Sequence, residues 1–320
     1  MGTIITIASG KGGVGKTTVT AALGATLAKR GHRVLLADAD FGLRDLDMML
    51  GAENDVLFDA LDVWKERCFK EDALLEVAPY LQLLPANQQK RWEDIGRKGY
   101  MKMIKRIAND YDYVLVDAPA GVGRAFESIL KATDRVLIVS EPFWMSLRDA
   151  QRVMQFCNER RLFDYALVLN QMPNERLGGE LSIDEVLDVT GSERLGSVLP
   201  ASNAIRRAIQ EGRVHKAAIE DDFGYMLEPL ADFIDEKYWA DYDIINRFAQ
   251  YLENQKTVGD KEPAISPPAV VGASIDTASP GSIDETSSET IAQKATRSVA
   301  KTINNLFNRQ NGSMWRHIRR

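Results

Sequence analysis

Lys11, Lys16, Thr17, Asp38, Asp40 and Asp117 are the residues whose types and spacing carry chemistry. The first three fall in Ser9-Gly10-Lys11-Gly12-Gly13-Val14-Gly15-Lys16-Thr17-Thr18, where Gly10 to Thr17 fits the spacing G-x-x-x-x-G-K-[ST]. Glycines let a backbone wrap closely enough to aim several N–H groups at one anion. A helix starting at the end of such a loop adds its positive end. In this arrangement Lys16 bridges the β- and γ-phosphates of a nucleotide, and the Thr17 hydroxyl ligates Mg²⁺. Gly10, Lys11, Gly12, Gly13, Val14, Gly15 and Thr18 complete the cradle. The alternative is a flexible glycine loop with two surface lysines. The β-rich run Thr3 to Ala8 before the loop and the amphipathic helix to about Arg30 after it speak for the cradle.

The carboxylates end strands. Arg33 to Ala37 reads as a buried parallel strand by its apolar run and stops at Asp38-Ala39-Asp40; Tyr113 to Val116 does the same and stops at Asp117. The C-terminal ends of parallel strands are where open α/β sheets bind ligands. Asp117 is then the carboxylate that holds a Mg²⁺-bound water, Asp40 positions an attacking water, and Asp38 supports the Mg²⁺ shell or the loop. Solvated strand-end acids are the alternative. In Ala118-Pro119-Ala120-Gly121, the Gly121 N–H can approach a γ-phosphate, so the loop would respond when phosphate leaves. Tyr165 to Leu169 is a strand ending at Asn170, whose amide can pair with N6 and N7 of adenine or simply form a turn. Leu195 to Leu199 ends in Pro200-Ala201, a backbone wall for a base, with Ser202 placed to cap a helix to Gln210.

The remaining elements must position these groups. Gln82 to Ala86 reads as a strand. Trp92 to Asn109 reads as a helix carrying Arg97, Lys98, Lys102, Lys105 and Arg106, either a solvated face or a partner contact. Arg135 to Ser140 is a strand broken by Glu141-Pro142. Ser146 to Glu159 is a helix, and helices continue from Phe223 to about Glu253. Seven or eight strands, each followed by a helix, predict an α/β fold with a doubly wound, mostly parallel sheet.

Composition sets bounds. The 320 residues are 45% hydrophobic, enough for one large core plus appendages. A net charge of −6 argues against nucleic acid held by bulk charge. Cys68 and Cys157 stand far apart, in no metal spacing, and fit a reduced cytoplasm. No apolar run approaches the roughly 20 residues of a membrane span, and the N-terminus reads as the first core strand rather than a signal peptide. Residues 1–253 are expected to form the nucleotide domain. Residues 254–289 turn to Pro, Ser, Thr, Gly and Ala and read as a linker. Residues 290–320 hold seven Lys and Arg and no Asp or Glu. There Val299, Ile303, Leu306 and Phe307 share one helical face, and Met314, Trp315 and Ile318 add a second apolar group. A basic amphipathic segment with Phe and Trp suits an anionic membrane interface. Docking on the core, on another protein or on nucleic acid are the alternatives.

The stretch K-G-G-x-G-K-T-T resembles the deviant Walker A group of ATPases. With D-x-D at 38–40, Gly42-Leu43-Arg44-Asp45-Leu46-Asp47 and the Asp117 to Gly121 loop, the chain resembles the MinD family of division-site ATPases. The resemblance covers about residues 1–235. It implies a P-loop fold, ATP and Mg²⁺ as cofactors, slow hydrolysis without an activator, and an ATP-linked homodimer in which Lys11 reaches the partner's nucleotide. It implies a peripheral place on the inner membrane face, a MinC-like division inhibitor and a MinE- or DivIVA-like activator as partners. The family usually carries Asn where this chain has Asp45, and commonly a carboxylate at the position of Gly123. A ParA-like partition ATPase binding DNA, a flagellar-number regulator and an ATP-gated scaffold are the competing readings. Iron-protein relatives need C-x-x-C at the dimer face, which does not occur.

Overall fold

Eight strands form one sheet in the order β3-β4-β2-β5-β1-β6-β7-β8. They are β1 (Thr3–Ala8), β2 (Val34–Asp38), β3 (Leu75–Ala78), β4 (Leu81–Leu84), β5 (Tyr113–Asp117), β6 (Arg135–Ser140), β7 (Tyr165–Met172) and β8 (Leu195–Pro200). This computed structural model describes residues 2–94, 99–174, 178–192, 194–220, 222–235 and 241–259. The expected tail, with Val299, Ile303, Leu306, Phe307 and Trp315, lies outside the described residues, as do most of the expected linker and Arg97 and Lys98. The chain divides into two compact units, Met1–Phe248 and Ala249–Arg320.

All neighbouring strands run parallel except β3, which pairs antiparallel with β4. The expected doubly wound α/β sheet is therefore present, with an antiparallel edge strand that the sequence reading did not include. Strand order reverses around β1: the chain builds β2, β4 and β5 on one side and β6 to β8 on the other. Ligands bind outside the strand ends at such a switch point. The register places the chemistry there. Asp38 of β2 pairs with Asp117 of β5, and Ile7 of β1 pairs with the same Asp117.

Val34, Leu35, Leu36 and Ala37 are fully buried, as are Val114, Leu115 and Val116, because helices cover both faces. The helix Lys16–Lys29 is buried nearly all round, from Thr18 to Ala28. An all-round apolar helix is an interior helix, and this one lies between the sheet and the helices Val214–Glu220 and Asp222–Ile234. Gly24 allows the close approach: a Cβ there would stand 2.5 Å from Leu36 Cδ2.

The expected long helix from Trp92 is broken. Trp92–Asp94 is a single 3₁₀ turn, Gly99–Ile107 is the helix, and Ala108–Asp110 is a second 3₁₀ turn. At the other end, the helix Asp241–Gly259 runs past Asn254, where the linker was expected to begin. Ser202 caps Asn203–Gln210 as expected, accepting from Ile205 N–H at 3.2 Å.

At the C-terminal end of the helix Lys16–Lys29, away from the glycine loop, Arg30 meets three carboxylates: Glu228, Asp232 at 3.0 Å and Asp235 at 2.8 Å. Asp235 also accepts from the Tyr113 hydroxyl at 2.9 Å. Arg30→Ala removes the cation that these acids share, Asp235 keeping Tyr113 and His32, and is expected to cost about 1–3 kcal/mol. The urea midpoint should fall while nucleotide affinity is unchanged; an unaltered midpoint would show the cluster to be solvent-screened ornament.

Candidate functional site

The glycine loop is fixed at its base. Ser9 Oγ donates to the Lys11 carbonyl at 2.7 Å, and Ser9 is buried. Gly10 packs against the helix Trp144–Glu159 so tightly that a Cβ would stand 2.3 Å from the Asp149 carbonyl oxygen. Gly13 and Gly15 take φ of 80° and 93°, backbone that a side chain would strain. Among the described residues, nothing beyond the chain neighbours lies within 4 Å of where a Cβ of Gly12 or Gly13 would be. Val14 is buried, and its carbonyl accepts from Asn170 Nδ2 at 2.8 Å. Gln171 Nε2 adds a bond to the Gly13 carbonyl at 3.4 Å.

Lys16, Thr17, Thr18, Asp40, Asn170 and Pro200 line one cavity of about 380 Å³ with the loop glycines. That volume suits a small cofactor. A larger groove of about 770 Å³ lies between Val63–Glu71 and the helix Gly99–Ile107. It has no glycine loop at its wall, and two of its cations are spent, Arg67 on Asp62 and Lys70 on Asp110. The chemistry therefore belongs to the smaller cavity.

Three carboxylates interact around Lys16; Asp40 lines the cavity with it, whereas Asp38 and Asp117 are buried and are not part of the cavity wall. Burial pushes Asp117 up to about 6; Lys16 and a hydrogen bond from Thr17 work against it, and Asp40 adds to it. Asp38 is held well above the ordinary range by burial and then by the Asp117 charge. Asp40 is raised by burial, opposed by Lys16, and raised further by Asp45. Asp38 spends its oxygens on the following loop, accepting from Asp40 N–H at 2.8 Å and Leu46 N–H at 3.4 Å. Of the two roles read for Asp38, this bonding supports the loop.

The donor set fits Mg²⁺. It consists of hard hydroxyl and carboxylate oxygens, and a divalent cation relieves the mutual repulsion of the buried acids. Among the described residues, no three His, Cys, Asp or Glu side chains stand together as a direct metal cage. That agrees with an ion held by one or two protein groups, phosphate and water.

Two of the groups expected to meet the nucleotide, one backbone and one side-chain, have other partners. The Gly121 N–H donates to the Ser9 carbonyl at 2.8 Å, so a γ-phosphate would have to take it from Ser9. The Asn170 amide nitrogen is committed to Val14, which leaves its oxygen for a base. Lys11 reaches the rim: its side chain is 40% exposed and pairs with Glu141 at 2.9 Å. Glu141 was read only as a strand breaker. Yet it directly follows parallel strand β6, and the rule that picks out acids at the C-terminal ends of parallel strands would have found it. Phe143, Trp144 and Met145, next in the chain, are exposed.

The fold and this loop define the class: a P-loop nucleotide-binding protein of the deviant Walker A type. A family model described as "ParA: NUBPL iron-transfer P-loop NTPase" matches residues 1–173. The septum site-determining protein MinD of Synechocystis is 35% identical over 216 residues, 66% of this chain and 81% of that protein. The protein of the same name from Bacillus subtilis is 34% identical over 212 residues, 64% and 79% of the two chains. Among solved structures, the MinC:MinD cell division protein complex of Aquifex aeolicus is similar with a TM-score of 0.68 and 34% identity, covering 74% of this chain and 97% of that one. MinD complexed with Mg-ADP from Pyrococcus horikoshii gives 0.65 and 28%, covering 73% and 96%. This chain belongs to the MinD family of ParA-type P-loop ATPases. Among the described residues no helix is long and apolar enough to cross a membrane.

The buried acids predict a measurable instability in the metal- and nucleotide-free protein. The folded-state value of Asp117, about 6, exceeds its ordinary 3.8. The folded form therefore binds this proton more tightly, and stability falls as pH rises from about 4 through 6, by roughly 3 kcal/mol. Asp117→Asn should raise the unfolding free energy measured by urea in EDTA at pH 8 by about 1–3 kcal/mol, and so raise the midpoint, with the gap closing near pH 4. Equal midpoints at pH 8 would contradict this account of the site.

Proposed function

We propose that this chain is an ATP hydrolase, ATP plus water to ADP plus phosphate, that dimerises on ATP and cycles on and off the inner face of the cell membrane to position the division site. The observation that carries the reading is Lys11, a lysine of the phosphate loop that stands at the exposed rim, paired with Glu141 rather than turned into its own cradle. A lysine so placed is free to exchange a weak internal partner for the phosphates of a second copy. The family supports this reading, as do the names of the relatives in Synechocystis and Bacillus subtilis. The Aquifex complex supports a MinC-like division inhibitor as partner. A MinE- or DivIVA-like activator follows from the resemblance alone.

Mg²⁺, when bound, supplies positive charge to the β- and γ-phosphate oxygens. Lys16 adds a second charge there, and the Thr17 hydroxyl is the protein's ligand to the ion, with Asp117 orienting water around it. Asp40 accepts a hydrogen bond from the attacking water and aims it. Lys11 of the second copy meets the charge that develops on the transferred phosphoryl group. Asn170 and Pro200 hold the base. The tail, through Val299, Ile303, Leu306, Phe307 and Trp315, engages anionic lipid. One short helix binds weakly, and two on one dimer bind far more tightly through effective concentration. Hydrolysis separates the copies and releases both tails.

ATPase rate per molecule, measured against protein concentration with and without anionic liposomes, tests this. The rate should rise with concentration and with liposomes, fall about 10-fold or more in Lys11→Ala, and lose only the lipid response when the chain ends after the helix at Gly259. Liposome-insensitive activity in the full chain would overturn the membrane half of the reading. Glu141→Gln removes the internal partner of Lys11. Since a partly exposed pair contributes about 0.2–1 kcal/mol, the concentration for half-maximal rate should fall about 1.5- to 5-fold.

A further inference from the structure

We propose that Trp92 and Tyr100, closed by Phe41, form an aromatic clamp that positions Asp40 for hydrolysis. This rests on the reading of Asp40 as the group that aims the attacking water. The backbone of residues 38–40 is held at each polar group. Ala39 N–H donates to the Asp117 carbonyl at 3.0 Å, and Asp40 N–H donates to Asp38 Oδ1 at 2.8 Å. The Asp38 carbonyl accepts from the Tyr100 hydroxyl at 3.0 Å, and the Ala39 carbonyl accepts from Trp92 Nε1 at 2.6 Å. The Asp40 carbonyl accepts from the N–H groups of Leu43 and Arg44 at 3.2 and 3.1 Å.

Two of those bonds come from side chains distant in sequence. The carbonyls of residues 38 and 39 leave the end of β2, where the sheet no longer pairs them. Trp92 and Tyr100 supply the missing donors, and both are buried. Their rings meet each other at 5.4 Å between centroids, and each meets Phe41, at 5.3 and 5.2 Å. All three contacts are edge-to-face, at 80° to 84°. Such geometry is favourable beyond area burial and fixes the ring directions. Gly42 N–H adds a bond to the Asn87 carbonyl at 3.0 Å, so the loop after β2 leans on the loop after β4.

The clamp leaves Asp40 with its side-chain rotamer as its main freedom. A displacement of about 1 Å in a group that orients a nucleophile costs up to about 100-fold in rate. The glycine loop, Lys16, Asn170 and Pro200, which line the cavity, make no bond to Trp92 or Tyr100 that is part of this clamp, so nucleotide affinity is expected to change little. Trp92 and Tyr100 are thus positioning residues: they act through Asp40 and touch no phosphate.

The test uses the full chain with Mg²⁺ and ATP at saturating protein, and separates kcat from nucleotide Kd. Trp92→Phe keeps a ring and removes the N–H; Tyr100→Phe keeps the ring and removes only the hydroxyl. Each is expected to lower kcat about 5- to 50-fold with Kd changed less than about 2-fold. Asp40→Asn is measured beside them, and in combination with Tyr100→Phe. Residues acting through one group are non-additive, so the double variant should be no slower than Asp40→Asn alone. Unchanged kcat in both aromatic variants would overturn the clamp. So would a parallel loss of kcat and Kd, which marks general loosening, or a double variant slower than Asp40→Asn by the full single-variant factor. An Asp40→Asn enzyme with wild-type kcat would instead overturn the role of Asp40 itself, whatever the aromatic variants do.

Discussion

The structure depends on one electrostatic constraint: carboxylates buried beside one another at the end of a parallel sheet. Register sets Asp38 against Asp117, and neither can reach bulk water. A carboxylate taken out of water without a partner is costly. The surroundings answer that cost with fixed dipoles and one cation. Thr20 and Thr17 hydroxyls turn to Asp117, two loop N–H groups turn to Asp38, and Lys16 stands beside them as a buried ammonium. The balance is incomplete without a second cation. A divalent cation held beside these acids would relieve their repulsion, which is why the donor set fits Mg²⁺.

The same reasoning supports the exchange of partners proposed for Lys11. Lys11 and Glu141 form a pair that water reaches, so their attraction is weak and screened. A weak partner is readily exchanged for a stronger one, and a triphosphate concentrates more negative charge than one glutamate. Loss of the γ-phosphate lowers that charge and returns the advantage toward Glu141. Exposed Trp144 and Met145, three and four residues beyond Glu141, put apolar surface in the same stretch of chain. Charge gives the exchange its nucleotide dependence, and apolar surface gives a contact its area.

What could be read from the sequence followed from locality. The glycine loop, β1 before it and the helix after it lie within thirty residues, and each type has one role there. Asp38 and Asp117 were legible because apolar strands announce their own ends. β3 was not: its four residues alternate weakly, lie half-exposed at an edge, and owe their pairing to the turn at Pro79-Tyr80. The helix at Trp92 was overextended because a basic run continued its pattern, while the long-range bond from Trp92 to Ala39 pulls that residue out of the helix. The Gly121 N–H was assigned to phosphate from motif alone; its bond to Ser9 joins residues 112 positions apart, which no local signal encodes.

Asp45 shows how a single departure from the family pattern alters this balance. It stands in the cavity and raises Asp40 further above its ordinary range. An Asn there would add no charge. With Asp, the cavity holds one more negative group facing a negatively charged ligand, so affinity leans harder on the cations that accompany or meet the nucleotide. Mg²⁺ is one and Lys16 another, and both serve a monomer. In the dimer proposed above, Lys11 of the second copy would be a third, so an added carboxylate would penalise the isolated, nucleotide-loaded subunit more than the proposed dimer.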